Sequence, residues 1–265
     1  MRRALRALPT LLRVGFAEAI AYRAEMLVWL LSTTMPLVML ALMSAVAREA
    51  PVGRFGQADF AAYYLAALVV RLNAGAWVIW ELNYEIRQGT LSYRLLRPIH
   101  PLVTYAASNM GYMPLRVLLT IPIVVIAVMA VGPGHFTRDP ALLALFPVTV
   151  AGGWLITFLA MALIGSLAFR MDNSTALFEM WLGLYMLLSG YLVPLEFFPP
   201  WLATATRWLP FRYMLAFPVE MIVGMAGRAE VLRQLAIQAA WIAGLGLACA
   251  AAWRAGLKRF AAFGG

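Results

Sequence analysis

Residues Met26–Val46 carry no charged side chain over 21 consecutive positions. A helix needs about 20 mostly apolar residues to cross about 30 Å of hydrocarbon, so this one run places the chain in a bilayer. Five further runs repeat the pattern. Phe60–Trp80 is interrupted only by Arg71 and Asn73, and Leu102–Val131 holds Arg116 and two prolines. Ala141–Phe169 has no charge, Ala176–Val193 has Glu179 near its start, and Leu235–Trp253 is the last. The sequence predicts an all-α polytopic membrane protein with six transmembrane helices in a single domain over residues 1–265.

Composition agrees. The chain is 63% hydrophobic and 12% charged, against about 45–50% and about 25% in soluble domains. An ordinary water-soluble enzyme, a disordered tail and a disulfide scaffold are excluded. The net charge of +9 comes from arginines scattered among apolar runs, so it points to membrane orientation and not to nucleic acid. The lone Cys249 lies in an apolar run and reads as a packed small side chain.

Between the fifth and sixth runs, residues 194–234 are apolar but chopped by Pro199, Pro200, Pro210 and Pro218. The pieces are too short to cross and too apolar for a solvated loop. They fit short helices that dip into the outer side of the bilayer or lie on it, a re-entrant segment before the last span. Glu196, between Pro194 and Phe197, marks that outer boundary. Six spans put both termini on one side. That side collects 12 basic residues and the other 7, over loops of nearly equal length. The positive-inside rule therefore places both termini in the cytoplasm. Ala45-Val46-Ala47 has the form of a signal cleavage site, but the apolar core before it is longer than the ~7–15 residues of a signal. It reads as a retained span.

Residues 1–25 begin with a basic amphipathic pattern. Leu5, Leu8, Leu12 and Phe16 share one arc of a helical wheel, with Arg2, Arg6 and Arg13 on its flank. This predicts an interfacial helix on anionic headgroups, or one packed on a protein partner by the same face. The cytoplasmic loop 81–101 is unusual for its apolar residues. Gly89 marks a break, Thr90 is placed to cap a short helix over Leu91–Arg97, and Pro98 and Pro101 stop it. Leu91, Tyr93 and Leu95 have no evident core to enter, so a cytoplasmic partner is expected to receive them. Arg71 and Arg116 are costly inside a bilayer and should face protein or water. Arg71, with Asn73, is a candidate for lining a polar cavity or for a helix–helix contact; Arg116 is also placed to snorkel. Glu179 is a candidate polar boundary residue of the fifth span.

The chain has no catalytic or metal-binding constellation. His100 and His135 lie in loops, and neither a metalloprotease helix, a cysteine cluster, a nucleophile elbow nor a G-x-x-x-x-G-K-[ST] phosphate loop occurs. No cofactor is expected on this chain.

The stretch Leu188-Ser-Gly-Tyr-Leu-Val-Pro-Leu-Glu-Phe-Phe-Pro-Pro-Trp-Leu202, followed by Leu209-Pro-Phe-Arg-Tyr213, Pro218 and Gly224, resembles the end of span five in exporter-type ATP-binding-cassette permeases. In that family a Gly turn and a Pro-rich run introduce short outer helices, which here are carried by Gly190, Pro194, Glu196, Pro199, Trp201 and Pro210. The loop containing Tyr84, Glu85, Gln88, Gly89, Leu91, Tyr93, Arg94 and Leu95 resembles the family's coupling helix, and the N-terminal helix resembles its connecting helix. Ser92 departs from the pattern, where an acidic residue is expected. The resemblance spans essentially the whole chain. It implies a permease subunit of the bacterial inner membrane, dimeric with an identical copy or a paralogue, surrounded by lipid. Cytoplasmic ATPase subunits would hold ATP and Mg. A non-transporting membrane anchor and a secondary transporter are the competing readings. The second is disfavoured because the broken segment has no counterpart in the first half.

Overall fold

The computed structural model describes residues 2–22, 24, 28, 33–171 and 174–260. Their regular structure is helical, joined by turns and loops, with no strand among the described residues. Thirteen α-helices are described in chain order: α1 (Arg2–Ala21), α2 (Met35–Glu49), α3 (Gln57–Ala74), α4 (Val78–Arg87), α5 (Leu91–Leu95), α6 (Pro101–Gly111), α7 (Met113–Val131), α8 (Pro140–Ser166), α9 (Ser174–Leu188), α10 (Pro200–Thr206), α11 (Pro210–Met214), α12 (Ala216–Ile222) and α13 (Arg228–Leu257).

Among the described residues, four helical segments are long and apolar enough to cross a membrane: Gln57–Arg87, Pro101–Val131, Pro140–Phe169 and Arg228–Leu257. The expected first and fifth spans differ. Residues 26, 27 and 29–32 of the first lie outside the described residues, and its described part, α2, has 15 residues. The fifth, α9, also has 15. Each is about 22 Å long at 1.5 Å per residue, short of the ~30 Å hydrocarbon core.

The uncharged α8 occupies the centre, packed by α3, α4, α9, α11, α12 and α13. Its Gly153 lies about 20 Å along the helix from Pro140, and a Cβ there would stand 2.9 Å from the Met214 carbonyl oxygen. The proline-cut segment therefore penetrates deep into the bundle before Thr137 N donates to Ile222 O (2.8 Å) back at the rim. Buried Gln238 on α13 ties the layers by donating to Thr149 O (2.9 Å) and Tyr213 O (3.0 Å). Gly244, also on α13, has open space around its Cβ position, so it serves no close packing within the chain.

Two expected spans contain breaks. The run Phe60–Trp80 was expected to be one helix, but α3 stops at Ala74 and α4 begins at Val78. Gly75 is extended, and the Trp77 N–H bonds Asn109 Oδ1 (3.3 Å) instead of a helical carbonyl. The third span divides at Tyr112 into α6 and α7, where Pro114 supplies no N–H to the first turn of α7.

The N-terminal helix lies along α6. A Cβ on Gly111 would meet the Gly15 carbonyl carbon at 2.5 Å, so the two backbones touch. Gly15 and Ala19 are the buried face, while Val14, Phe16 and Ile20 stay exposed. The small-residue face packs on the chain itself, and Phe16 of the apolar arc remains free for lipid. The side chains of Arg2, Arg3, Leu5, Arg6 and Leu8 lie outside the described ones.

The connecting loops gather at two ends. At one end Arg54 pairs with Glu196 (Nε–Oε1 3.0 Å) and Arg228 pairs with Asp139 (Nη2–Oδ1 2.7 Å). The Arg228 hydrogen bonds hold the Asp139 carboxyl below its ordinary range. At the other end the His100 and Trp253 rings lie 5.4 Å apart. Burial lowers the His100 pKa, which suits its ring as the acceptor from Leu102 N (3.2 Å).

Candidate functional site

The loop between α4 and α6 is built around one guanidinium. Arg94 Nε donates to both oxygens of Glu85 at 2.8 Å, Nη2 also pairs with Glu81, and Nη1 reaches Thr104 Oγ1 at 3.3 Å. The same group stacks on Tyr105, 4.3 Å from its ring centroid, and Tyr105 donates to Glu85 Oε2 at 2.6 Å. Partial burial works against the charge on Arg94, but the Glu85 hydrogen bonds together with the nearby Tyr105, Glu81 and Glu85 outweigh it and leave its pKa above the ordinary value. The fork of donors matches two carboxylates one helical turn apart on α4. Glu85 and Arg94 thus face each other within the chain, and their work is to hold the loop's shape.

Gly89 makes the turn at φ +73°, where a side chain would be strained. Thr90 does not cap α5 as expected: its backbone is already helical and its hydroxyl makes no cap bond. Ser92 Oγ closes the turn instead, donating to Gly89 O at 2.7 Å. The position that departs from the family pattern therefore has a local structural task.

Leu91 was expected to be received by a partner. It is fully buried in the chain's own core, beneath α4. The outward apolar side chains are Tyr84, Tyr93, Leu95 and Leu96, the last 84% exposed. Leu96 was not singled out from the sequence, although it lies within the expected helix Leu91–Arg97; the observed helix ends at Leu95 and leaves it as the C-cap. Gln88 and Arg87 are exposed beside them. A cleft of about 750 Å³ opens alongside, bounded by Tyr84, Arg87, Gln88, Met171, Arg259 and Phe260. Segments distant in sequence thus meet around the loop.

Arg71 and Arg116 meet at the break in the second span. Arg116 Nη1 donates to Gly75 O at 2.6 Å and its guanidinium lies 4.9 Å from the Trp77 ring. Arg71 lies 5.6 Å from the Tyr185 ring. Arg116 does not simply snorkel: it fills a carbonyl left open by the missing helical turn. Asn73 Nδ2 bonds Val69 O (2.9 Å) and Thr120 Oγ1 (3.4 Å), joining α3 to α7 beneath the arginines. Glu179 is exposed on α9 and belongs to none of the described ion pairs.

The motif 190–210 forms a plug at the opposite end. Gly190 has φ +82°, and a Cβ there would stand 2.5 Å from the Tyr63 hydroxyl. Buried Tyr63 donates to Gly190 O (2.8 Å) and Tyr64 to Leu192 O (2.7 Å). Pro194 precedes a 3-10 turn over Leu195–Phe197, and Glu196 binds Arg54. Pro199 precedes α10, Pro210 opens α11, and Trp201 projects outward, 71% exposed.

An apolar helical bundle with membrane-length helices, a loop clamped by Arg94 and a proline-cut segment of short helices define a helical membrane protein. A family model described as ABC-2 family transporter protein matches residues 26–264, and the chain belongs to that family. It is consequently an ABC transporter permease and not itself an ATPase. No curated protein matches the chain significantly.

Proposed function

We propose that this chain is the membrane half of an ABC exporter in a bacterial inner membrane, paired with a second permease and driven by separate cytoplasmic ATPase subunits holding ATP and Mg. It crosses six times with both termini in the cytoplasm, α2 and α9 supplying the two short crossings. The greater basic count on the side holding residues 1–25, 81–101 and 254–265 supports that orientation. Residues 194–227 form the outer re-entrant segment, shorter than the expected 194–234 because α13 already begins at Arg228, and the cargo is lipid-like or amphipathic.

The observation that carries the reading is the loop 88–97. Arg94 fixes its shape from within, yet Tyr84, Tyr93 and Leu96 remain exposed at a polar end of the bundle. Apolar side chains on a preorganised loop suit a protein partner, because little ordering entropy is lost on docking. ATP binding would draw two such loops together, one from each permease. Helix α4 runs from the loop to the break at Gly75 and packs on α8 and α9, so it would transmit the displacement to the middle of the bundle. ATP must therefore favour one of two permease arrangements by its differential affinity.

Reconstituting the chain with its ATPase and measuring ATPase stimulation by candidate amphiphiles tests the reading. Stimulation that disappears with Leu96→Asp is expected. A complex that binds its ATPase but never couples hydrolysis to movement would instead be a membrane anchor.

A further inference from the structure

We propose that Arg71 and Arg116 form a binding site, deep in the bundle, for the anionic headgroup of an amphipathic cargo, a phosphate ester being the best fit. The proposal rests on the permease reading and names the class of substrate for it.

The first observation is the convergence of two cations. A Cβ on Gly75 would lie 3.3 Å from Arg71 Nη1 and 3.7 Å from Arg116 Nη1. The two nitrogens are thus within about 7 Å of each other, where like charges in a low dielectric repel strongly. Among the described residues neither arginine has a carboxylate partner. Arg116 is the fourth residue of α7, just past the break at Tyr112 and inside the apolar segment Pro101–Val131. A bilayer protein holds such a pair only where something compensates it.

The second observation is unmet hydrogen-bonding capacity at the same place. Arg71 Nε is a buried donor without a hydrogen-bond partner, although the same guanidinium also meets the Tyr191 hydroxyl. Helix α4 also begins here, so its first N–H groups and the positive end of its dipole face the same break. Donors from two guanidiniums and a helix start suit the several oxygens of a phosphate better than the single face of a carboxylate.

The third observation is where an attached chain would lie. Trp77 flanks Arg116, while Tyr185 and Tyr191 flank Arg71. Next along α7, Val117, Leu118 and Ile121 are all more than half exposed. An anionic head in the notch leaves an apolar tail running along that face.

Binding of radiolabelled dodecyl phosphate to the purified permease–ATPase complex in maltoside detergent tests the proposal. Dodecyltrimethylammonium and inorganic phosphate serve as competitors. We expect saturable binding, no competition from the cation, and at least tenfold weaker competition from inorganic phosphate, which has the head without the tail. Arg71→Gln with Arg116→Gln should weaken binding at least tenfold, and Arg116→Lys severalfold. Equal binding of dodecyltrimethylammonium by the wild-type complex overturns the site, whether or not the double variant folds. Undiminished binding in a folded double variant also overturns it, as does loss of the second permease from that variant with binding intact, which would assign the arginines to assembly. ATPase retention, read on the same samples, reports separately on the permease assignment: ATPase retained without anion preference sinks the site alone, and anion preference without any associated ATPase removes the cargo role.

Discussion

Arg94 Nε is equidistant from the two oxygens of Glu85, 2.8 Å from each. This symmetric contact bridges the end of α4 and the short helix α5, and Glu81 joins it one turn earlier. The loop 88–97 is therefore held in shape by contacts within the chain.

Removing the bridge should loosen the loop without emptying the membrane. Arg94→Ala leaves Glu81 and Glu85 side by side and half-buried, a loss of about 2 kcal/mol. Arg94→Lys should rescue little, because an ammonium cannot span both carboxylates and stack on Tyr105. Hydrogen exchange over residues 81–101 is the measurement. Unchanged protection in Arg94→Ala would show the bridge to be incidental.

Leu91 and Leu96 should separate folding from docking. Leu91→Asp buries an uncompensated carboxylate, and we expect it to reduce the folded protein in membranes. Leu96→Asp changes a side chain 84% exposed and should leave folding intact while releasing the ATPase. Monodispersity in detergent and copurification, read together, distinguish the two.

Gly190→Ala combines a strained φ of +82° with a Cβ 2.5 Å from the Tyr63 hydroxyl. A destabilisation of about 3 kcal/mol is expected. Adding Tyr63→Phe relieves the clash but not the backbone strain, so thermal unfolding should show partial recovery. Full stability of Gly190→Ala alone would mean the turn can be rebuilt.

Much of this architecture was legible in the sequence because burial in lipid demands long uncharged runs. The short pieces within 194–227 were legible for a different reason: Pro199, Pro200, Pro210 and Pro218 recur too often for one continuous helix, whereas α7 and α8 each absorb a single internal proline, Pro122 and Pro147. The break at Gly75 was not, since Ala74-Gly75-Ala76-Trp77 continues the apolar run and only the tertiary bond from Trp77 N to Asn109 ends the helix. The fate of Leu91 was hidden too. Whether a loop leucine faces inward depends on the Arg94 bridge that sets the loop's rotation, and spacing alone does not encode that contact. Arg71 and Arg116 are 45 positions apart, and each could be judged alone; their meeting beside Gly75 is a property of the fold.

Orientation has a direct check. Gln57 and Gln88 are exposed at opposite ends of Gln57–Arg87. With Cys249 replaced by Ser, single cysteines at these positions should react with an impermeant reagent from outside at 57 only, and at 88 after the membrane is opened. Labelling of both from outside would break the six-crossing arrangement.

Site-specific photocrosslinking at Tyr93 and Leu96, with Trp201 as the control at the opposite end, tests the central claim most directly. The expected result is that probes at 93 and 96 capture an ATP-binding-cassette ATPase, while the probe at 201, equally exposed, captures none. An ATPase absent from 93 and 96, or found only at 201, would contradict the docking role of this loop.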